Sequence, residues 1–216
     1  MRKRVLVPLD DSRRSAEAAG AAGTLYSIGH STRATAELLE LLHAHGVKQV
    51  VDVRTIPRSR HNPQFNRDRL SHSLDQGGIR YVHLKTLGGL RHPRPDSVNF
   101  GWRNASFRGF ADYMQTESFG AGLRRLEALA ARRPTAIMCA EAVPWRCHRS
   151  LIADALTVAE WRVLHIHSRK IAVPHQCTPF LVVRSAWLLY PGRKGSFRPV
   201  EISPKESGCR ALERST

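Results

Sequence analysis

Short apolar runs alternate with stretches of helical period along most of the chain, and this alternation constrains the fold more than any other feature. Leu25-Tyr26-Ser27-Ile28-Gly29, Val47 to Val53, Ile79 to Leu84, Thr135 to Cys139 and Arg162 to Ile166 are each short and mostly apolar. Strands of that kind are covered on both faces. Between the first two, Leu38, Leu39, Leu41 and Leu42 mark one face of a helix that ends at Gly46. Phe65 to Leu70 opens a second helix that stops at Gly77-Gly78, and Phe107 to Met114 and Leu123 to Leu129 give two more. Strands joined by helices predict a parallel sheet. The predicted class is therefore α/β, a three-layer fold with a mostly parallel sheet of about five strands and helices on both faces.

A chain of 216 residues has room for one such domain with short extensions. We expect a single domain over residues 24–190, a loosely ordered extension over 1–23 and a flexible tail over 191–216. Gly29-His30-Ser31-Thr32 should cap the first helix through Ser31 or Thr32. Thr86 to Asn104 is rich in Gly, Pro and Arg without a periodic core, the composition of a lid or a disordered loop. Leu181 to Val183 and Trp187 to Tyr190 read as a packed arm or a terminal hairpin.

Lys and Arg number 34 against 18 Asp and Glu, a net charge of +16. Such an excess favours anionic partners, nucleic acid or a phosphorylated small molecule, although charge spread over solvated faces would give the same total. The cysteines at 139, 147, 177 and 209 follow no disulfide-scaffold spacing. No stretch approaches a membrane span, and the apolar patch after Met1-Arg2-Lys3-Arg4 is shorter than a signal-peptide core. The expectation is a cytoplasmic protein with reduced thiols and no membrane partner.

The chemistry concentrates between Cys139 and Ser150, where a strand gives way to a helix whose apolar face includes Leu151, Ile152 and Ala155. Strand C-termini of a parallel sheet share one rim, and ligands bind there. His30, Asp52 with Arg54, His83 or Lys85, Cys139 with Glu141, and His165 or His167 could therefore all face one crevice. Candidate catalytic residues are Cys139, Glu141, Asp52 and His30; candidate substrate-binding residues are Arg54, Arg58, Arg146, Arg149 and His148. Guanidinium groups bind phosphate and carboxylate bidentately.

Three readings of the loop stand side by side. A thiol beside a helix N-terminus and several Arg is activated as a nucleophile. Cys139, Cys147 and His148, joined by His30, would instead be soft ligands for zinc or iron. Cys147 also lies on the stripe facing the sheet, where it could be a small buried hydrophobe. Asp52 and Glu141 each offer a proton-transfer group, and Asp52 could equally orient His30 or pair with Arg54 or Arg58.

Six separated motifs agree with one family: Tyr26 to Ser31, Val51 to Arg54 with Pro57-Arg58-Ser59, Pro63 to Asn66, Leu87-Gly88-Gly89, Cys139-Ala140-Glu141 and Cys147-His148-Arg149-Ser150. From about Thr24 to Phe180 the chain resembles the domain of unknown function 488 family. The resemblance implies a compact bacterial or archaeal α/β domain with no settled activity. The loop also looks like the rhodanese and cysteine-phosphatase arrangement but departs from it: Cys-x5-Arg needs Arg at the position of Trp145, and the cradle glycines are missing. The expected function is an enzyme of undetermined reaction and unassigned cofactor, acting on an anionic substrate through this Cys/His/Asp/Arg site. The alternative is a non-catalytic nucleic-acid-binding or partner-binding module, which the Arg and aromatic residues Phe65, Phe100 and Trp102 near the rim would suit.

Overall fold

A computed structural model describes residues 23–185 and 187–192. The expected extension up to residue 22 and the expected tail beyond residue 192 lie outside the described residues. In chain order the elements are β1 (Thr24–Gly29), α1 (Thr35–Ala44), β2 (Gln49–Asp52), α2 (Arg67–Gln76), β3 (Arg80–His83), α3 (Ala105–Tyr113), α4 (Glu117–Ala130), β4 (Thr135–Cys139), α5 (Arg149–Val158), β5 (Arg162–Ile166), β6 (Ala172–Pro174), β7 (Val182–Arg184) and β8 (Trp187–Leu189).

The central sheet has the order β3-β2-β4-β1-β5-β6. Its first five strands are parallel and β6 joins the edge antiparallel. The class expected from the alternating pattern is the one observed, with one more strand. β6 is three residues long and ends in Pro174, which an edge strand tolerates because no neighbour needs its missing N–H. The run expected as an arm or hairpin is the β7–β8 hairpin.

Two apolar layers sandwich the sheet, as expected of strands without polar alternation. Leu25, Val51, Val53, Ile137 and Val163 pack with α3, α4 and α5, whereas Ile28, Val50, Ala136, Met138 and Ile166 pack with α1 and α2. Each fully buried Leu or Ile contributes about 1.5–3 kcal/mol. Strand order then decides where a crevice opens. β1 and β4 are neighbours, yet the chain leaves β1 for α1 on one face and leaves β4 for α5 on the other. Loops that diverge from adjacent strands leave a gap between them, the switch point of an open sheet.

Two local expectations are corrected. α1 starts at Thr35 after Ala34 with no side-chain cap, because Ser31, at φ 50°, instead donates its N–H to the Ala140 carbonyl at 2.8 Å. Thr86 to Asn104 is fastened, neither lid nor disordered. Asp112 of α3 accepts from Ser97 Oγ at 2.7 Å, Asn99 Nδ2 at 2.8 Å and the Arg94 N–H at 2.8 Å. Among the described residues, no helix is long and apolar enough to cross a membrane.

Candidate active site

The switch point brings the β1 and β4 loops together by backbone bonds. Gly29 lies opposite Cys139 in the β1–β4 ladder, and the His30 N–H donates to the Cys139 carbonyl at 3.0 Å. Strand alternation then divides the predicted site residues into two clusters on either side of the rim.

On the α2 side, Asp52 is fully buried and its two oxygens accept from the Arg54 N–H at 3.0 Å, Arg54 Nε at 2.9 Å, Arg54 Nη2 at 2.6 Å and Tyr81 Oη at 2.8 Å. Arg54 also donates to the Phe65 carbonyl at 2.9 Å and to His30 Nε2 at 3.1 Å. Guanidinium cannot accept, so His30 Nε2 is the bare nitrogen and its Nδ1–H donates to the Ser31 carbonyl at 2.9 Å. The imidazole is stacked on Phe65 at 4.1 Å. Burial lowers the pKa of His30 from 6.5 to about 4, with Arg54 and Arg149 adding to the shift. Burial, then the Asp52 charge, pushes the Tyr81 hydroxyl upward, so it remains a donor.

On the α5 side stand Cys139, Cys147, His148 and Arg149. A short turn over Pro144–Arg146 returns the chain so that Cys147 and His148 precede the first turn of α5. Cys139 is 7% exposed and Cys147 3%. Cys147 Sγ lies 3.5 Å from His148 Nδ1, and His148 Nε2–H donates to the Val53 carbonyl at 3.0 Å. That bond places the proton on Nε2 and leaves the Nδ1 lone pair toward the sulfurs. The two sulfurs and a ring nitrogen lie within 4.8 Å of one another, a set that could hold a soft metal ion; His30, committed to Arg54 and Ser31, does not join it.

The thiols split. The Cys139 pKa rises through its hydrogen bond to Cys147 and through burial. The Cys147 pKa falls to about 6, chiefly through the hydrogen bond it receives from Cys139; burial opposes this, while Arg149 adds its charge and its backbone and side-chain N–H groups.

Arg149 is 1% exposed. Its Nη1 donates to Ser27 Oγ at 2.9 Å, its Nη2 to the Glu141 carbonyl, and its Nε has no partner. Among the described residues no carboxylate pairs with it, a costly state for a buried cation unless an anion shares the site. Gly29 and Gly89 make room for this packing. A Cβ on Gly29 would stand 2.6 Å from the Glu141 carbonyl carbon and 2.9 Å from an Arg149 nitrogen, and one on Gly89 would stand 2.6 Å from His148 Cγ.

Of the candidates, His30, Asp52, Arg54, Cys139, His148 and Arg149 meet at this rim, together with Cys147. Arg58 and Arg146 are exposed, and Glu141 is exposed with only its carbonyl engaged. Sequence reading placed His165 at the rim but missed Ser27, Tyr81 and the buried relay that His165 enters. Asp154 Oδ1 accepts from His175 Nε2 at 2.9 Å, and His175 Nδ1 lies 3.0 Å from His165 Nε2. His165 Nδ1 is left buried without a partner. The available signal was an Asp on the apolar face of α5, where an unpaired carboxylate is rare. The hollow of about 700 Å³ between α2 and β3, lined by Asp68, His72 and Arg80 among others, opens at the start of β3, at the opposite rim.

Burial, then its neighbours His175 and Arg149, lowers the His165 pKa from 6.5 to about 3. His30 and His165 are therefore both neutral in the folded chain at pH values where the unfolded chain protonates them. Their contribution to stability is complete above about pH 6.5 and is lost as pH falls toward 4. Urea midpoints should accordingly drop between about pH 6.5 and 4, and a flat profile across that window would contradict the neutral assignment.

No curated protein and no solved structure matches the chain. A family model matches residues 34–156, from the residue before α1 into α5, more than half of the 216 residues and a shorter span than Thr24 to Phe180. On that match the chain belongs to the family described as domain of unknown function DUF488.

Proposed function

We propose that this chain is an enzyme that attacks an anionic substrate with the Cys147 thiolate. The single observation that carries the reading is Arg149: a buried guanidinium, without a carboxylate partner, two residues beyond Cys147 on the first turn of a helix. Helix N-termini and fixed cations stabilise thiolates and bind anions. Cys147 is the nucleophile in this reading and Cys139 its hydrogen-bond donor. His148 Nδ1 stands where it can take the Cys147 proton, and Arg54 and His30 fix the far wall of the crevice. Exposed Arg58 and Arg146 line the approach of the anion.

The experiment compares two alkylating agents that differ in charge. Iodoacetate should modify Cys147 faster than iodoacetamide at pH 7, the reverse of a free thiol's order, because Arg149 receives the carboxylate. Arg149→Met should cut the iodoacetate rate by about tenfold or more, the worth of one charge-assisted hydrogen bond. Cys147 that resists both agents in the folded chain and reacts only after unfolding would remove the proposal.

One observation favours nucleic acid as the anion: Trp145 is 65% exposed beside exposed Arg146, so a base could stack on the indole while the phosphate meets the guanidinium.

A further inference from the structure

From the meeting of two sulfurs and one bare imidazole nitrogen at the β4–α5 turn, we infer that Cys139 is a resolving thiol. The reduced Cys139–Cys147 pair then reduces a small anionic disulfide and is itself left as a reversible disulfide. The inference rests on the proposed nucleophilic role of Cys147 and names the reaction class.

Three features of the site support it. The sulfurs of Cys139 and Cys147 and a nitrogen of His148 all lie within 4.8 Å of one another, so neither sulfur must travel far to bond the other. Both cysteines are free, so the pair holds the two electrons the reduction needs. His148 Nε2 is spent on the Val53 carbonyl, so the Nδ1 lone pair is the base between the sulfurs. Gly89, whose Cβ would crowd that ring, lets the Leu87–Gly89 turn close over the ring without displacing it.

The reaction balances without a cofactor. In the first step Cys147 Sγ⁻ attacks one sulfur of R–S–S–R; the substrate S–S bond breaks, a Cys147–S–S–R bond forms, and RS⁻ leaves. In the second, His148 Nδ1 takes the proton of Cys139, whose sulfur attacks Cys147 Sγ and expels the second RS⁻. The two thiolates leave as thiols, one with the Cys139 proton and one with a proton from water. The substrate gains the two electrons that the dithiol loses. Arg149 selects for a carboxylate or other anion on R, because its Nε–H is unpartnered and, among the described residues, no carboxylate neutralises it.

The test uses the full chain and oxidised glutathione, a disulfide that carries carboxylates. After incubation at pH 7, acid quench and peptide mapping, the wild-type chain should contain a Cys139–Cys147 disulfide and no lasting glutathione adduct. Cys139→Ser should hold glutathione on Cys147. A wild-type chain that keeps the adduct on Cys147, with Cys139 still open to alkylation, would overturn the resolving role and leave the nucleophile standing. If Cys147 is untouched in both chains, the nucleophile fails as well. Stoichiometric zinc in the purified chain, with both thiols blocked until chelation, would overturn both. Should Cys139→Ser not fold, the wild-type map alone decides, since disulfide and adduct are distinct products.

Discussion

Gly29→Ala should destabilise the chain by about 3 kcal/mol, and the melting temperature should fall by roughly 6–12 °C. The reason is space. Gly29 does not adopt a left-handed φ, so alanine would be acceptable to its backbone. A Cβ there would nevertheless stand 2.6 Å from the Glu141 carbonyl carbon and 2.9 Å from an Arg149 nitrogen, and those two groups are bonded to each other. The Glu141 carbonyl cannot simply withdraw, because its loop is tied to β1 by the His30 and Ser31 N–H groups. Relief must come from Arg149, which would move away from Ser27 and Cys147. Reactivity of Cys147 toward iodoacetate should therefore fall together with stability. Gly120→Ala in α4 is the control: its Cβ would meet only an Arg124 side-chain tip at 3.4 Å, and alanine should gain about 0.5–1 kcal/mol. A Gly29→Ala chain that melts like wild type would mean that the β1–β4 crevice is looser than its hydrogen bonds imply.

The architecture was legible because period and composition act locally. Val47 to Val53 could be recognised as a doubly covered strand from its own residues, and so could the helix ended by Gly46. β6 escaped because three residues ending in proline carry no periodic signal; the edge of β5 creates that strand. The rim location followed from fold class alone, but the roles there did not. Cys139 and Cys147 differ chiefly because one donates its hydrogen bond to the other, and also because Arg149 turns inward beside Cys147, neither of which spacing encodes. Arg149 looked like a member of a cationic rim with Arg58 and Arg146, yet it alone of the three is buried. Glu141 attracted attention for its carboxylate, while the site uses its carbonyl. The Asp154–His175–His165 relay joins residues 21 and 10 apart, and nothing between them announces contact. Asp52 belonged to both accounts at once: sequence offered it as base or ion-pair partner, and its oxygens face four donors of Arg54 and Tyr81.

That geometry makes Asp52→Asn the second large effect. Removing one partner of a buried pair leaves the other charge uncompensated, and the expected loss is about 3–5 kcal/mol. Arg54 is 6% exposed, and its remaining side-chain partners, the Phe65 carbonyl and His30 Nε2, are neutral. Asparagine would also aim an N–H₂ at donors that already fill the site. By contrast, Glu37→Gln, which breaks the exposed Arg33–Glu37 pair, should cost only about 0.3–0.5 kcal/mol. The double variant Asp52→Asn/Arg54→Met removes the stranded charge and should recover part of the loss. Alkylation of Cys147 separates a positioning residue from a reacting one. If Asp52 only holds Arg54 and His30 in place, the folded fraction of Asp52→Asn at low temperature should keep the wild-type pH midpoint of Cys147 modification. An unchanged melting curve with a displaced midpoint would instead put the Asp52 carboxylate at the reacting sulfur, and the division of the rim into a supporting α2 side and a reactive α5 side would have to be abandoned.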